Sequence, residues 1–127
     1  GETNFIDFRE KAPGKATRDM YLDAQGKPTR DSLVGWRASG VPGTVRGLAL
    51  LHKKYGKLPW KTLLAPSVKL AKRGFPVSYA LARSLRGAER LLGQFPESKR
   101  LYLRNGQYWE ADDLLRLPEL GRTLERI

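Results

Sequence analysis

Apolar positions along this chain change their spacing near residue 40, and the predicted elements change with them. Before that point Phe5 to Glu10 alternates as a strand does, with Phe5, Asp7 and Arg9 on one face and Ile6, Phe8 and Glu10 on the other. Pro13-Gly14 ends the run. A second extended stretch, Arg18 to Asp23, leads into Ala24 to Pro28, whose glycine and proline mark a turn or hairpin end. Residues 29 to 40 read as a polar loop.

Beyond residue 40 the apolar residues recur at helical spacing. Val45, Leu48, Leu51 and Tyr55 predict a helix over 43–55, with Pro42 suited to its first turn and Gly56 to its end. Trp60, Leu63, Leu64, Val68 and Ala71 predict a second helix from Pro59, which Pro66 should kink or divide and Gly74 should stop. Ser78 suits the N-cap of a third, carrying Leu81, Leu85, Ala88 and Leu92. Leu101 to Trp109 reads as a hairpin, because Asn105-Gly106 suits a type I′ turn between alternating runs. Leu117, Leu120, Leu124 and Ile127 line one face of a last helix, still apolar and uncapped at Ile127. That ending, with no initiator Met, is what a piece of a longer chain would show. The organisation expected is a single fragment over 1–127: strand and loop over 1–40, a helical layer over 41–95, and a hairpin with the start of a helix over 101–127.

Composition narrows the classes. With 127 residues, 40% of them hydrophobic, the chain can form a core, and its 29% charged residues make no long like-charge block. No apolar run approaches the roughly 20 residues of a bilayer-spanning helix, so no membrane span is expected in this segment. The N-terminus lacks both the basic start and the apolar stretch of a signal peptide. The absence of cysteine excludes disulfides and thiolate chemistry, and a single histidine, His52, argues against a metal site. No metal and no cofactor are expected.

Twenty-four Lys and Arg against 13 Asp and Glu give a formal charge of +11, which favours anionic partners. The basic residues are scattered, the nearest to a cluster being Lys53-Lys54 with Lys57, and no finger, RNA-recognition or helix-turn-helix pattern occurs. A solvated basic surface is the favoured reading, so no nucleic acid is expected. A small basic module binding nucleic acid or an acidic partner stays as the non-enzyme alternative.

Few residues stand out chemically. Arg9, at the end of the strand, is either paired with Asp7 on the same face or placed to hold something negative. The glycines of "SGVPGT" match neither a P-loop nor a dinucleotide fingerprint and read as a lead-in to the helix. Asp112-Asp113 reads as a loop or cap rather than an acid/base pair, and Trp36, Trp60 and Trp109 as packing residues.

Three stretches together decide between the two readings of Arg9. "FIDFREKAPGKATRDMYLD", "ASGVPGTVRGLALLHKKYGKLPWKTLLAPSVKLAKRGFPV" and the weaker "LYLRNGQYWEADDLLRLPELGRTLERI" resemble the gamma-glutamyltranspeptidases over essentially the whole chain, as an interior part of that family's large subunit. The resemblance implies an α+β fragment of an N-terminal nucleophile hydrolase, a four-layer αββα sandwich, here mostly helical with one central-sheet strand and short hairpins. It implies a precursor that cleaves itself, so that a Thr heads a small subunit and attacks the gamma-glutamyl amide of glutathione or a related donor. Water or an amino-acid or peptide acceptor then takes the acyl group from the covalent gamma-glutamyl-Thr intermediate. That Thr would lie beyond Ile127, so no catalytic residue is expected here and the fragment alone would be inactive. Its partners would be the gamma-glutamyl donor, the small subunit and the rest of the large subunit, in the periplasm or outside the cell. The residue that the family's "DFRE" places here is Arg9, as the holder of the donor's alpha-carboxylate. A cephalosporin or glutaryl acylase of the same fold is the alternative within the enzyme class.

Overall fold

A computed structural model describes residues 3–104 and 106–127. The chain divides into two compact units, Gly1–Lys57 and Leu58–Ile127.

In the first unit, β1 (Glu10–Lys11) pairs antiparallel with β2 (Val41–Pro42), in the register Glu10 to Pro42 and Lys11 to Val41. The Gly43 N–H donates to the Arg9 carbonyl at 3.0 Å and extends this ladder by one bond. The strand expected over Phe5 to Glu10 is therefore displaced to two residues at its end. Its alternation persists in the side chains, since Ile6 and Phe8 are half-buried while Phe5, Asp7 and Arg9 are exposed. Among the described residues nothing pairs with the backbone of residues 5–8, and a strand is defined by the ladder its backbone makes.

Helix α1 (Thr44–Tyr55) follows directly, as the periodicity predicted, and stops where the Gly56 N–H reaches the His52 carbonyl at 2.7 Å. Two glycines set how closely it lies to the extended segment. A Cβ on Gly43 would sit 2.1 Å from the Phe8 carbonyl oxygen, and one on Gly47 would sit 2.3 Å from Phe8 Cβ and Cγ. Absence of both side chains lets the Phe8 backbone and ring rest on the first turn of α1.

Arg18 to Asp23, which reads as an extended stretch, is instead a turn, its Leu22 N–H bonding the Asp19 carbonyl at 3.0 Å, and residues 29–39, which read as polar loop, are more ordered than that. Leu22 and Pro28 form a one-residue bridge, and Asp23 Oδ1 accepts from the backbone N–H of Gln25 at 2.9 Å and Lys27 at 2.8 Å. Two 3₁₀ turns, Arg30–Ser32 and Trp36–Ala38, occupy what looked like irregular chain. Arg37 ties them together, pairing with Asp31 at 2.7 Å and donating to the Met20 carbonyl, while Tyr21 Oη donates to the Arg37 carbonyl at 3.0 Å. Trp36, expected to pack, is instead 85% exposed.

The second unit begins with α2 (Trp60–Arg73), which continues through Pro66 without division and ends at Gly74, whose φ is 91°. β3 (Phe75–Pro76) then pairs antiparallel with β4 (Leu114–Leu115). Val77, Ala82 and Leu115 form the core beside this ladder, with Phe75, Leu81, Trp109 and Leu117 packed against it. Ser78 caps α3 (Tyr79–Gly87), its hydroxyl accepting from the Leu81 N–H at 3.2 Å.

Two expectations in this unit are corrected. The third helix does not reach Leu92 as one piece: it ends at Ala88, and α4 (Glu89–Leu92) restarts there. The stretch read as a hairpin opens with the last turn of α5 (Pro96–Tyr102), leaving a single bridge between Arg104 and Gln107, while Asn105 lies outside the described residues. Pro96 at the first helical position, which costs no hydrogen bond there, was the missed start signal. α6 (Pro118–Arg126) packs on α2 through buried Gly121, where a Cβ would meet Lys72 Cγ at 2.5 Å, and Lys72 reaches Glu125 at 2.5 Å. Among the described residues no helix is long and apolar enough to cross a membrane.

Candidate functional site

The backbone fixes Arg9 more firmly than its side chain does. Its carbonyl is held by Gly43, the next residue enters the ladder with Pro42, and the preceding Phe8 lies against Gly47. The side chain itself is 86% exposed. It meets Glu10 with two nitrogens, Nη2 donating to Oε1 at 2.8 Å and Nε lying 2.6 Å from Oε2. This fork geometry matches the planar guanidinium to a carboxylate and fixes orientation as well as charge. The hydrogen bond to Glu10, and then its charge, raise the Arg9 pKa above its ordinary value. The Asp7 pairing that the sequence left open is replaced by this one. An exposed pair between chain neighbours gives way easily to a better-placed carboxylate.

A groove of about 680 Å³ lies nearby, floored by Ile6, Phe8, Val41 and Leu50. Arg9 does not line it. Among the described residues its cationic lining groups are Lys11 and Arg46, and Glu10, the partner of Arg9, also lines it.

The remaining polar candidates are structural. Asp113 accepts from the Glu110 N–H at 2.9 Å and pairs with Arg104, whose guanidinium stacks 4.9 Å from the Trp109 ring centre. Asp112 adopts a φ of 70° and bonds the Val77 carbonyl through its own N–H at 2.9 Å. The pair forms the turn into β4, as its loop reading required. Trp109 packs against the core and donates to the Tyr102 carbonyl at 2.9 Å. Thr29 and Thr123 spend their hydroxyls on the backbone carbonyls of Tyr21 and Glu119. Among the described residues no group of three or more His, Asp and Glu is placed to hold a metal.

The segment carrying Arg9 thus rests on the glycine-bearing start of α1, within the stretches "DFRE" and "SGVPGTVRG". The Gamma-glutamyltranspeptidase family model matches residues 1–127. The chain belongs to the gamma-glutamyltranspeptidase family. It is 45% identical over 130 residues to the glutathione hydrolase proenzyme of Escherichia coli, covering 100% of this chain and 22% of that protein. The Pseudomonas aeruginosa glutathione hydrolase proenzyme is 40% identical over 128 residues, again 100% of this chain and 22% of the relative. Among solved structures, the Helicobacter pylori gamma-glutamyltranspeptidase superposes with a TM-score of 0.92 at 39% identity, covering 95% of this chain and 35% of that one. The gamma-glutamyltranspeptidase of Pseudomonas nitroreducens gives 0.85 at 38%, with the same coverage. The fold is thus that of a gamma-glutamyltranspeptidase piece, part of an N-terminal nucleophile hydrolase. The chain spans 22% of the length of each of the two proenzymes.

Sequence reasoning missed the partner of Arg9. Alternation puts Glu10 on the opposite strand face from Arg9, but the chain bends at Arg9, where the ladder begins, and the two side chains meet. The glycines of the α1 turn were the available signal for the close approach beneath Phe8.

Proposed function

We propose that the protein of which this chain forms part is a gamma-glutamyl acyltransferase and hydrolase acting on glutathione and related gamma-glutamyl amides, and that Arg9 binds the donor's alpha-carboxylate. The observation that carries the reading is the two-nitrogen contact of Arg9 with a carboxylate, that of Glu10, at 2.6 and 2.8 Å. A donor carboxylate would take the place that Glu10 holds, and fixing that remote end would place the scissile amide for attack.

Family membership supports the rest of the chemistry. A Thr hydroxyl, activated by a neighbouring amine, attacks the gamma-carbonyl. The Thr ester bond forms, the amide C–N bond breaks, and the amine leaves carrying the proton. Water or an acceptor amine then cleaves the ester. The Thr would belong to a small subunit released by self-cleavage, the other partner being the rest of the large subunit. The "proenzyme" in the names of the relatives supports that processing. Export to the periplasm or cell exterior goes with this reading and is checked by cell fractionation.

The deciding experiment compares a gamma-glutamyl anilide with its 4-aminobutyryl counterpart, which lacks the alpha-carboxylate, in the complete processed enzyme. The wild type should prefer the gamma-glutamyl donor, and Arg9→Lys should lose most of that preference with self-cleavage intact. Equal preference in both proteins would remove Arg9 from the donor site.

A further inference from the structure

Along α2, Lys61, Ala65, Lys69 and Arg73 repeat every four residues and form one exposed ridge. At about 1.5 Å per residue the three cations span about 18 Å. None of the three has a carboxylate partner among the described residues, whereas Lys72 is satisfied by Glu125. Beside the ridge runs a second row with half-buried Leu64 and Val68, faced by Leu124 and Ile127 from the α6 side. The two rows enclose an open groove of about 660 Å³ with an apolar floor and one basic edge, and among the described residues its acidic lining is the paired Glu125 alone.

We propose that this groove is a docking site for an acidic amphipathic helix of a partner protein. Charge complementarity selects that occupant. An apolar face laid along Leu64 and Val68 brings residues two turns apart opposite Lys61 and Lys69, about 12 Å from one another. Carboxylates at those two positions meet Lys61 and Lys69, and one a turn further along meets Arg73. A neutral apolar helix would fill the floor and leave the ridge uncompensated, and a basic one would be repelled. The site lies on other residues than Arg9 and does not depend on the donor reading.

The test uses the complete processed enzyme and a labelled helical peptide with a leucine face flanked by glutamates two turns apart, followed by fluorescence anisotropy. Saturable binding is expected that weakens steeply with salt, is absent for the lysine-flanked version of the peptide, and protects α2 and α6 amides from hydrogen exchange. Lys69→Glu with Arg73→Glu should weaken it at least tenfold while leaving donor kinetics unchanged. Binding that is insensitive to these substitutions, or protection elsewhere on the enzyme, would overturn the proposal. So would α2 and α6 amides already protected in the peptide-free enzyme together with no peptide binding, the result expected if the protein's own further chain or a second copy fills the groove.

Discussion

The Cβ that Gly47 lacks would stand 2.3 Å from both Cβ and Cγ of Phe8, so helix α1 lies this close to the segment carrying Arg9 only with a glycine at residue 47. Gly47 is buried, and the extended chain over it leads straight to the candidate donor-binding residue. This packing acts together with the hydrogen bond from Gly43 to the Arg9 carbonyl in positioning Arg9.

Gly47→Ala should therefore destabilise the protein, by about 1–3 kcal/mol as overpacking usually does, despite the better helix propensity of alanine. Phe8→Ala should recover part of that loss in the double variant. Chemical denaturation of the four proteins of the cycle measures the coupling, and additive effects would show that Phe8 and Gly47 do not meet.

Glu10 competes for the fork that the donor is proposed to use. Glu10→Gln should leave Arg9 in place and lower the donor KM by at most a few-fold, since exposed pairs are weak. Arg9→Lys should instead reduce kcat/KM by on the order of tenfold or more through loss of the paired charged hydrogen bonds. Steady-state kinetics with a gamma-glutamyl anilide distinguishes the opposite directions.

Arg37 holds residues 20, 31 and 21 through its guanidinium and its carbonyl. Replacing it by alanine should release the two 3₁₀ turns without unfolding the helices. Limited proteolysis should then cut within residues 17–39 several times faster than in the wild type, and hydrogen exchange should rise in that segment alone.

Glu119, in the first turn of α6, has its pKa lowered by a backbone hydrogen bond at the helix start and by Arg100, with burial working in the other direction. A carboxylate whose folded-state pKa is lowered contributes stability that is present above its unfolded value and is lost as the pH falls through the folded one. The acid-side loss of stability, below the ordinary value of 4.5, should therefore be slightly shallower in Glu119→Gln. Because the group is exposed the effect is small, and thermal melts of the two proteins between pH 3 and 6 are the check.

Ser78→Ala removes the oxygen that accepts from the Leu81 N–H and should cost about 1 kcal/mol. Ser78→Asp should keep the cap and most of the stability, which thermal denaturation would register.

Local signals placed most of the helices. The 3.6-residue apolar period located α1, α2, the start of α3 and α6, and Ser78, Gly56 and Gly74 marked boundaries that the structure keeps. These features depend on neighbours three or four residues away, which the sequence contains. Family kinship was legible for the same reason, since motifs such as "DFRE" and "ASGVPGTV" are contiguous, and it brought Arg9 forward with a role that the residue alone did not carry.

Contacts distant in sequence were decided by the tertiary structure. A strand over Phe5 to Glu10 has the right alternation but needs a partner backbone, and residues 41–42 reach only its last residue and the one after it. Asn105-Gly106 suited a hairpin, yet Pro96 and the helix it starts took Leu101 and Tyr102 out of the first arm. Pro66 removes one hydrogen bond from α2, and the packing of α2 on α6 keeps the helix whole. Sequence fixes which bonds a segment is able to make with itself; which it makes with the rest depends on what the fold sets beside it, and that is why the ladder starts at Glu10 and not at Phe5.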